Sequence, residues 1–429
     1  MKKEKYHLLI SSLYFNYIFQ GMAAIILSQN MTNLRIHWQA STAQVTLVMS
    51  AIGLGRILSL YFSGYFSDKF GRKKTVLIAI VSYMIFFCGM LLSPSYQLAF
   101  FLAMFGGVSN AFLDTSTYPT LVEAYPDERV NSSLSVLNKA FISLGQFLLP
   151  FITRYLLQHK LFFGWPFILC AVCLFVNMFY LLFAHFPSSA TIIKKDTEIT
   201  TTVEPKNRGK FKIDGIALLV FSFVSVSLFN IFILWIPQYA ESMQIVSHEN
   251  SLIFVSLYST GSFISVFFTS GIVKKGINIP KFICFCLLIS GISLLLMLLS
   301  PNFITVVIAA ICIGIFAAGG IWQLGLALML ELFPKKKGKC TSYYSLATSV
   351  SIMVTPYITG VISEQGITYV FWFVILLNII GLMASLCIVG DILWRIGVAI
   401  RLINNVCPVS LSVIAEFLFS MFLLFNTSQ

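Results

Sequence analysis

The stretch GYFSDKFGRKKT, residues Gly64–Thr75, separates two long apolar runs and holds five charged residues between Asp68 and Lys74. Charges are scarce elsewhere, because only 10% of the 429 residues are charged and 58% are hydrophobic. Charged residues make up about a quarter of an ordinary soluble domain. The composition therefore excludes a soluble globular chain and indicates a membrane protein.

The apolar residues form repeated runs that are long enough to cross a membrane. A helix of about 20 apolar residues spans about 30 Å of hydrocarbon. No small-residue cleavage site follows the basic start MKKEKYHLLI, so the first run is interpreted as a retained helix. We predict twelve spans, at 8–28, 44–66, 75–93, 97–120, 132–156, 164–185, 213–238, 250–272, 280–299, 302–330, 340–362 and 369–389.

The basic residues are divided unequally between the two sides of these spans. With the N-terminus inside, most of them fall in inside segments, and outside loops hold only Arg35, Arg154 and Lys160. Lys and Arg accumulate in cytoplasmic loops, so we expect a multi-pass membrane protein with a cytoplasmic N-terminus. The net charge of +12 is thus explained by basic residues in the loops that set the membrane topology. Nucleic acid is therefore not an expected partner.

A long polar stretch divides the chain into two groups of six spans. We predict an N-terminal bundle at 1–186, a flexible cytoplasmic linker at 187–212, a C-terminal bundle at 213–390 and a tail at 391–429. An apolar run at 409–425 is interrupted by a glutamate, and two interpretations stay open for it. It forms either an interfacial helix or a thirteenth span.

The two groups also share a faint internal repeat. A shift of 208 residues places Gly106 on Gly314 and Glu123 on Glu331. Repeated halves of six helices are typical of secondary transporters, which bind solute near the membrane midplane between the halves. The predicted fold class is therefore an all-α membrane protein with two six-helix bundles.

The opening stretch and three others carry a family resemblance. The pattern Gly64-x-x-x-Asp68-Lys69-x-Gly71-Arg72, between the second and third spans, resembles the signature loop of the major facilitator superfamily. NYIFQGMAAIILSQNMTNL, GLGRILSLYFSGYFSDKFGRKK, NAFLDTSTYPTLVEAYP and AAGGIWQLGLALMLELFPK together resemble the bacterial YdiM/YdiN-type inner-membrane transport proteins, and more loosely the fucose-permease branch. The resemblance implies the major facilitator fold, a location in the bacterial plasma (inner) membrane and proton-driven uptake. It also implies no cofactor besides the proton gradient and a monomeric state.

Three charged residues stand inside predicted spans: Arg56 in the second, Asp114 in the fourth and Lys139 in the fifth. Charges at membrane depth are costly, so each is a functional candidate. Asp114 and Lys139 lie about 13 and 10 Å deep on neighbouring helices, and Arg56 is a rival partner for Asp114. Two interpretations stay open: Asp114 carries the coupling proton, or the three residues form a structural ion-pair network. The fucose-permease branch is expected to carry an acidic residue in the first span as well, and this chain has none there.

The two cations against one carboxylate leave a surplus positive charge, which favours an anionic solute such as a small carboxylate. Neutral polar and aromatic residues in the spans are further binding candidates. Each has an alternative role in helix packing or as an interface anchor. These candidates are Asn16, Gln20, Asn138, Gln146, Asn230, Trp235, Gln238, Trp322 and Gln323.

We expect the opening stretch to act as a gate. Gly64 would pack closely against a helix of the other half, Gly71 would allow the tight turn, and Asp68 would face the start of the eleventh helix near 340–342. Arg72 would pair with Glu123. Both polar contacts would lock the outward-facing state.

The leading functional prediction is proton-coupled uptake of a small polar organic solute. A proton-driven exporter of drugs or metabolites, a sugar–proton symporter and a non-transporting sensor are the alternatives. An enzyme is not expected, because the sequence has no phosphate-binding loop, metal-ligand cluster or nucleophile–base motif. The expected partners are a small-molecule solute and the lipid bilayer.

Overall fold

The computed structural model describes residues 6–125, 128–187, 211–274, 278–334 and 337–406. Twelve helices in these ranges are long and apolar enough to cross a membrane, which confirms the predicted spans to within a few residues. Most of the predicted linker at 187–212 and the whole apolar run at 409–425 lie outside the described residues.

The first six spans form the N-terminal half. Their helices are His7–Gln29, Thr42–Phe70, Arg72–Leu92, Tyr96–Ala124, Glu128–Gln158 and Trp165–Phe183. The loop after the first span, which the sequence indicates only as polar, contains the short helix Met31–Trp38. Ser41 begins the second span with a capping box to Gln44, an arrangement that satisfies backbone N–H groups at a helix start.

The second six spans form the C-terminal half. Their main helices are Ile216–Ser242, Ile253–Lys274, Ile279–Leu299, Phe303–Cys312 continued by Ile321–Leu332, Lys337–Gln365 and Ile367–Val406. The last helix continues past residue 390, so the predicted tail begins as an extension of the twelfth span. A π-helical turn, Phe211–Gly215, precedes the seventh span.

The tenth span is broken near its middle. A π-helical segment, Ile313–Ala318, separates its two α-helical pieces, and Gly320 begins the second piece with a φ of 114°. That positive φ is a conformation that glycine adopts without steric cost. The eighth span satisfies the carbonyl of Gly319 that the break frees, because Ser265 and Thr269 each donate a hydrogen bond of 2.8 Å to it.

Each half contains a close helix contact at a glycine, one residue out of the predicted register, since the shift of 208 places Gly106 rather than Gly107 on Gly314. In the N-terminal half, Gly107 of the fourth span lies directly against the Ile52 carbonyl of the second span. In the C-terminal half, Gly314 of the tenth span lies against the Tyr258 carbonyl of the eighth span. A side chain at either glycine would collide with backbone, so each half depends on small residues for the same close helix pair.

The two halves touch from one end of the molecule to about its middle. We call the end that holds Tyr6, Gly71 and Glu123 the Gly71 end, and the opposite end, near Gln29 and Gly366, the Gly366 end. At the Gly366 end, the backbone N–H of Ala43 donates to Glu364 over 3.2 Å, and Gln238 donates to the Ser28 carbonyl over 3.2 Å.

The second and eleventh spans diverge toward the Gly71 end. At Gly53 these two helices meet closely, because a Cβ there would collide with the Met353 backbone. A Cβ at Gly64 or at Gly338 would meet nothing within 4 Å. The hydrogen bonds that the structure describes between the halves involve Ala43, Ser50, Ser143, Gln238 and Ser256, and they lie at the Gly366 end and in the middle of the spans. We therefore describe this conformation as closed at the Gly366 end, and we call it open at the Gly71 end because of the space beside Gly64 and Gly338.

Candidate functional site

Asp114 lies inside the N-terminal half in contact with two neighbouring spans. Its Oδ2 atom accepts a hydrogen bond of 3.2 Å from Nη2 of Arg56, and its Oδ1 atom accepts one of 3.2 Å from the hydroxyl of Tyr17. The Arg56 and Asp114 side chains are 17% and 22% exposed. This carboxylate in a membrane span thus contacts a cation and a hydroxyl, and its side chain is partly exposed. These features together allow it to take up and release a proton.

Lys139 does not join this cluster. Its Nζ atom lies 4.9 Å from the centre of the Phe229 ring, which belongs to the seventh span in the other half. Of the two partners that the sequence offers Asp114, the structure selects Arg56. The predicted meeting of Asp114 and Lys139 is wrong for this conformation, because the Lys139 side chain is turned toward the other half.

Two predicted binding residues of the first span have different surroundings. Asn16 is fully buried within its own half, where its Oδ1 atom accepts a hydrogen bond of 2.9 Å from Asn177 and its Nδ2 atom donates to the Ser12 carbonyl. Its amide is thus occupied by contacts that join the first and sixth spans. Gln20 is half-buried, and its Oε1 atom has no hydrogen-bond partner.

The fifth span presents polar residues toward the other half. The hydroxyls of Ser143 and Ser262, which belong to opposite halves, lie 3.1 Å apart. Gln146 lies one turn further along and is buried, and its Oε1 atom has no partner. Asn138 is buried beside Lys139 in the sequence.

Some of the predicted binding residues of the C-terminal half are buried between helices, and others are half-buried or exposed. Trp235 is buried and donates to Thr359 over 2.8 Å, so it joins the seventh and eleventh spans. Half-buried Trp322 donates to Thr348 over 2.8 Å. Asn230 is half-buried and Gln323 is exposed. Gln238 is one of the contacts at the Gly366 end.

Arg72 joins three residues at the Gly71 end of the N-terminal half. Its Nε atom donates to Glu123 over 3.0 Å, as predicted, and its Nη1 atom donates to Asp68 and to Ser67, each over 2.7 Å. Gly71 adopts a φ of 89°, so the predicted tight turn is confirmed. Glu123 is at the end of the fourth span, so the Arg72–Glu123 contact stays within one half.

Two parts of the predicted gate differ in the structure. The Asp68 side chain is 76% exposed and pairs with Arg72, so its predicted contact with the start of the eleventh helix is not formed. Gly64 has no neighbour within 4 Å, and the predicted close packing against the other half is wrong for this conformation. The Arg72–Glu123 pair is intact although the Gly71 end is open, so it does not by itself lock the halves together.

Sequence reasoning missed three residues that complete these arrangements. Tyr17 and Phe229 are ordinary aromatic residues of apolar spans, and only the packing of helices brings them to Asp114 and Lys139. Lys73 donates to the carbonyls of Leu182 and Ala184 at the end of the sixth span. A basic residue beside helix-terminal carbonyls is a general signal, but nothing in the sequence indicates which helix end it reaches.

The family model of the Major Facilitator Superfamily matches residues 12–283 and 247–394 of this chain. The chain belongs to the major facilitator superfamily. Its twelve spans in two six-helix halves are the fold of that superfamily, and its function is membrane transport. No catalytic activity is indicated by this membership.

Three bacterial relatives agree with this assignment. The chain is 36% identical over 380 residues to inner membrane transport protein YdiM of Escherichia coli strain K12, covering 88% of this chain and 92% of that protein. It is 33% identical to YdiN of the same organism, with 85% of each chain covered. It is 35% identical to the uncharacterised transporter YfkL of Bacillus subtilis strain 168, covering 87% of this chain and 94% of that protein. The resemblance to YdiM and YdiN is thereby confirmed.

Solved structures of this superfamily share the fold at low sequence identity. A crystal structure of the D-xylose–proton symporter superposes with a TM-score of 0.70 at 13% identity, covering 89% of this chain and 96% of that chain. An inward-open structure of the xylose transporter XylE from Escherichia coli gives a TM-score of 0.68 at 12% identity, covering 89% and 95%. At such identities the likeness shows the fold alone.

Proposed function

We propose that this major facilitator protein takes up a small polar organic solute together with protons, and that Asp114 carries the coupling proton. The observation that carries the proposal is the Arg56–Asp114–Tyr17 cluster, because it combines a carboxylate at membrane depth with partial exposure. When Asp114 is ionised, Arg56 balances its charge. When Asp114 is protonated, that balance is lost, and the cluster favours a different arrangement of helices.

The conformation is consistent with release of solute into the cytoplasm, which supports the uptake direction of this proposal. The basic Gly71 end is the cytoplasmic side under the distribution of Lys and Arg, so an opening at that end delivers solute and proton to the cytoplasm. Two relatives are titled inner membrane transport proteins, which supports the same membrane for this chain. We take the proton gradient as the only energy source and the monomer as the working unit.

The test uses purified protein in proteoliposomes with an inward proton gradient. Asp114→Asn should abolish accumulation of solute while leaving exchange of solute across the membrane without a gradient. Glu241→Gln is the matched control, because Glu241 pairs with His248 away from this cluster. Gradient-driven accumulation that persists in Asp114→Asn rules out Asp114 as the proton carrier. Accumulation only under an outward gradient supports the exporter instead.

A further inference from the structure

Lys139 is a cation at membrane depth whose described partner is an aromatic ring. Its ammonium group lies 4.9 Å from the centre of the Phe229 ring. Among the described residues no carboxylate forms an ion pair with it, since Asp114 pairs with Arg56. Within the described part of the chain, the second cation of the predicted trio therefore has no anionic partner.

We propose that the ammonium group of Lys139 binds the carboxylate group of the transported solute, and that the Phe229 ring occupies this place while the site is empty. The inference rests on the proposed transport function and names its substrate class. A ring face attracts a cation far more weakly than a carboxylate does at the same site. A carboxylate therefore displaces the ring from the ammonium group. Because the ring is uncharged, its movement leaves no unpaired charge buried in the protein.

The face of the fifth span that carries Lys139 is directed at the other half. Residues 139, 143 and 146 follow the spacing that places side chains on one face of a helix. Ser143, the middle one, contacts Ser262 of the eighth span. The Oε1 atom of Gln146 on the same face is buried without a partner. Gln146 lies about 10 Å further along the helix, at 1.5 Å per residue, so a solute bound to Lys139 would reach its unused amide oxygen once Ser143 and Ser262 separate.

The distance between Lys139 and Gln146 predicts which groups the solute carries and how far apart they are. One end carries a carboxylate, and the other carries a hydrogen-bond donor, such as a hydroxyl group, within the length of a small molecule. The solute also links the halves, because Lys139 belongs to one half and Phe229 to the other. In the empty site, Lys139 contacts Phe229 directly across the halves. When a carboxylate takes the place of the ring, the solute connects the two halves instead. The solute therefore makes different contacts in the two states, which is what allows it to shift their populations.

The test begins with proteoliposomes of the whole protein under an inward proton gradient. The probe is a bacterial metabolite extract separated by ion exchange into anionic, neutral and cationic fractions, and mass spectrometry identifies what accumulates inside. We expect accumulation from the anionic fraction of a molecule with a carboxylate. Accumulation only from the neutral or cationic fraction overturns the inference and leaves proton-coupled transport intact. Accumulation from no fraction contradicts the proposed function itself, and this inference falls with it.

Variants then assign the carboxylate contact to Lys139. For the acid so identified, Lys139→Met should raise the KM at least tenfold, Lys139→Arg should restore most of the affinity, and the primary amide of the acid should be a poor substrate of the wild type. Phe229→Leu should lower the KM, because the ring no longer competes for the ammonium group. Arg154→Gln is the matched control, since Arg154 is a cation of the same helix near the Gly366 end, and its KM should be unchanged.

Size-exclusion profiles and melting curves identify variants that do not fold. An unchanged KM in folded Lys139→Met overturns the proposal, as does equal transport of the acid and its amide by the wild type. A loss in Lys139→Arg as large as that in Lys139→Met would also contradict it, because the charge would then not be what the solute requires.

Discussion

The guanidinium group of Arg56 lies 3.2 Å from the carboxylate of Asp114, and the hydroxyl of Tyr17 lies 3.2 Å from the other oxygen of the same carboxylate. These three residues come from the second, fourth and first spans. The pair is compatible with proton coupling and with a purely structural ion pair, and the two roles differ in what a double variant does.

Removal of one partner of this pair should destabilise the protein more than removal of both. Arg56→Gln leaves an uncompensated carboxylate, at a cost of about 3–5 kcal/mol for a fully buried pair and less here because both side chains are partly exposed. The double variant Arg56→Gln/Asp114→Asn should regain the melting temperature but not gradient-driven accumulation. Regained accumulation in the double variant would show that the pair is only structural.

The Arg72–Glu123 pair should contribute to stability in every conformation, because both residues belong to the N-terminal half. The Glu123 side chain is only 3% exposed, so Arg72→Gln leaves a buried charge and should lower the apparent melting temperature by several degrees. Asp68→Asn is the matched control for stability, since Asp68 is exposed. It should leave the melting temperature unchanged.

Asp68→Asn should nevertheless slow turnover more than it weakens solute binding. Asp68 lies at the end that has to close during the transport cycle, where its charge becomes available to the helix start of the other half. Transport rates measured at saturating solute, together with the KM, separate the two effects. Equal rates in Asp68→Asn and the wild type would contradict a role in closure.

Two glycines of the second span should bias the conformation in opposite directions. Gly53→Ala places a methyl group in the Met353 backbone, which weakens closure of the Gly366 end at a cost of about 1–3 kcal/mol. Gly64→Ala meets open space in this structure and should cost nothing here, while it hinders closure of the Gly71 end. Distances between spin labels at the two ends measure the shift. A shift in the same direction for both variants would contradict the assignment of ends.

A covalent link at the Gly366 end should stop transport. The backbone of Ala43 contacts the side chain of Glu364 across the two halves, so cysteines at these positions are close enough for a short bifunctional reagent. The nine native cysteines need replacement first. We expect cross-linking to abolish transport and cleavage of the linker to restore it. Transport by the cross-linked protein would show that this end does not open.

The number of spans, the division into two halves and the residues of the opening loop can all be predicted from the amino-acid sequence. These features depend on local chemistry, since a run of about 20 apolar residues must form a helix in lipid to satisfy its backbone. A charge in such an apolar run is costly and therefore conspicuous, so Arg56, Asp114 and Lys139 can be recognised as candidates from the sequence. The contact between Arg72 and Glu123 was also predicted, because both lie close to the ends of neighbouring spans.

Which of these charges meet depends on how the helices pack, and the sequence does not show it. Asp114 is within reach of two cations along the sequence, and the rotation of each helix about its axis, which packing sets, gave it Arg56 and turned Lys139 toward Phe229. The same holds for Tyr17, whose role depends on a single hydroxyl in an apolar span. The opening at the Gly71 end likewise depends on how the two halves contact each other at Gly53 and Ala43. Helix formation follows from the backbone and the lipid, whereas the choice of partner follows from geometry between distant segments.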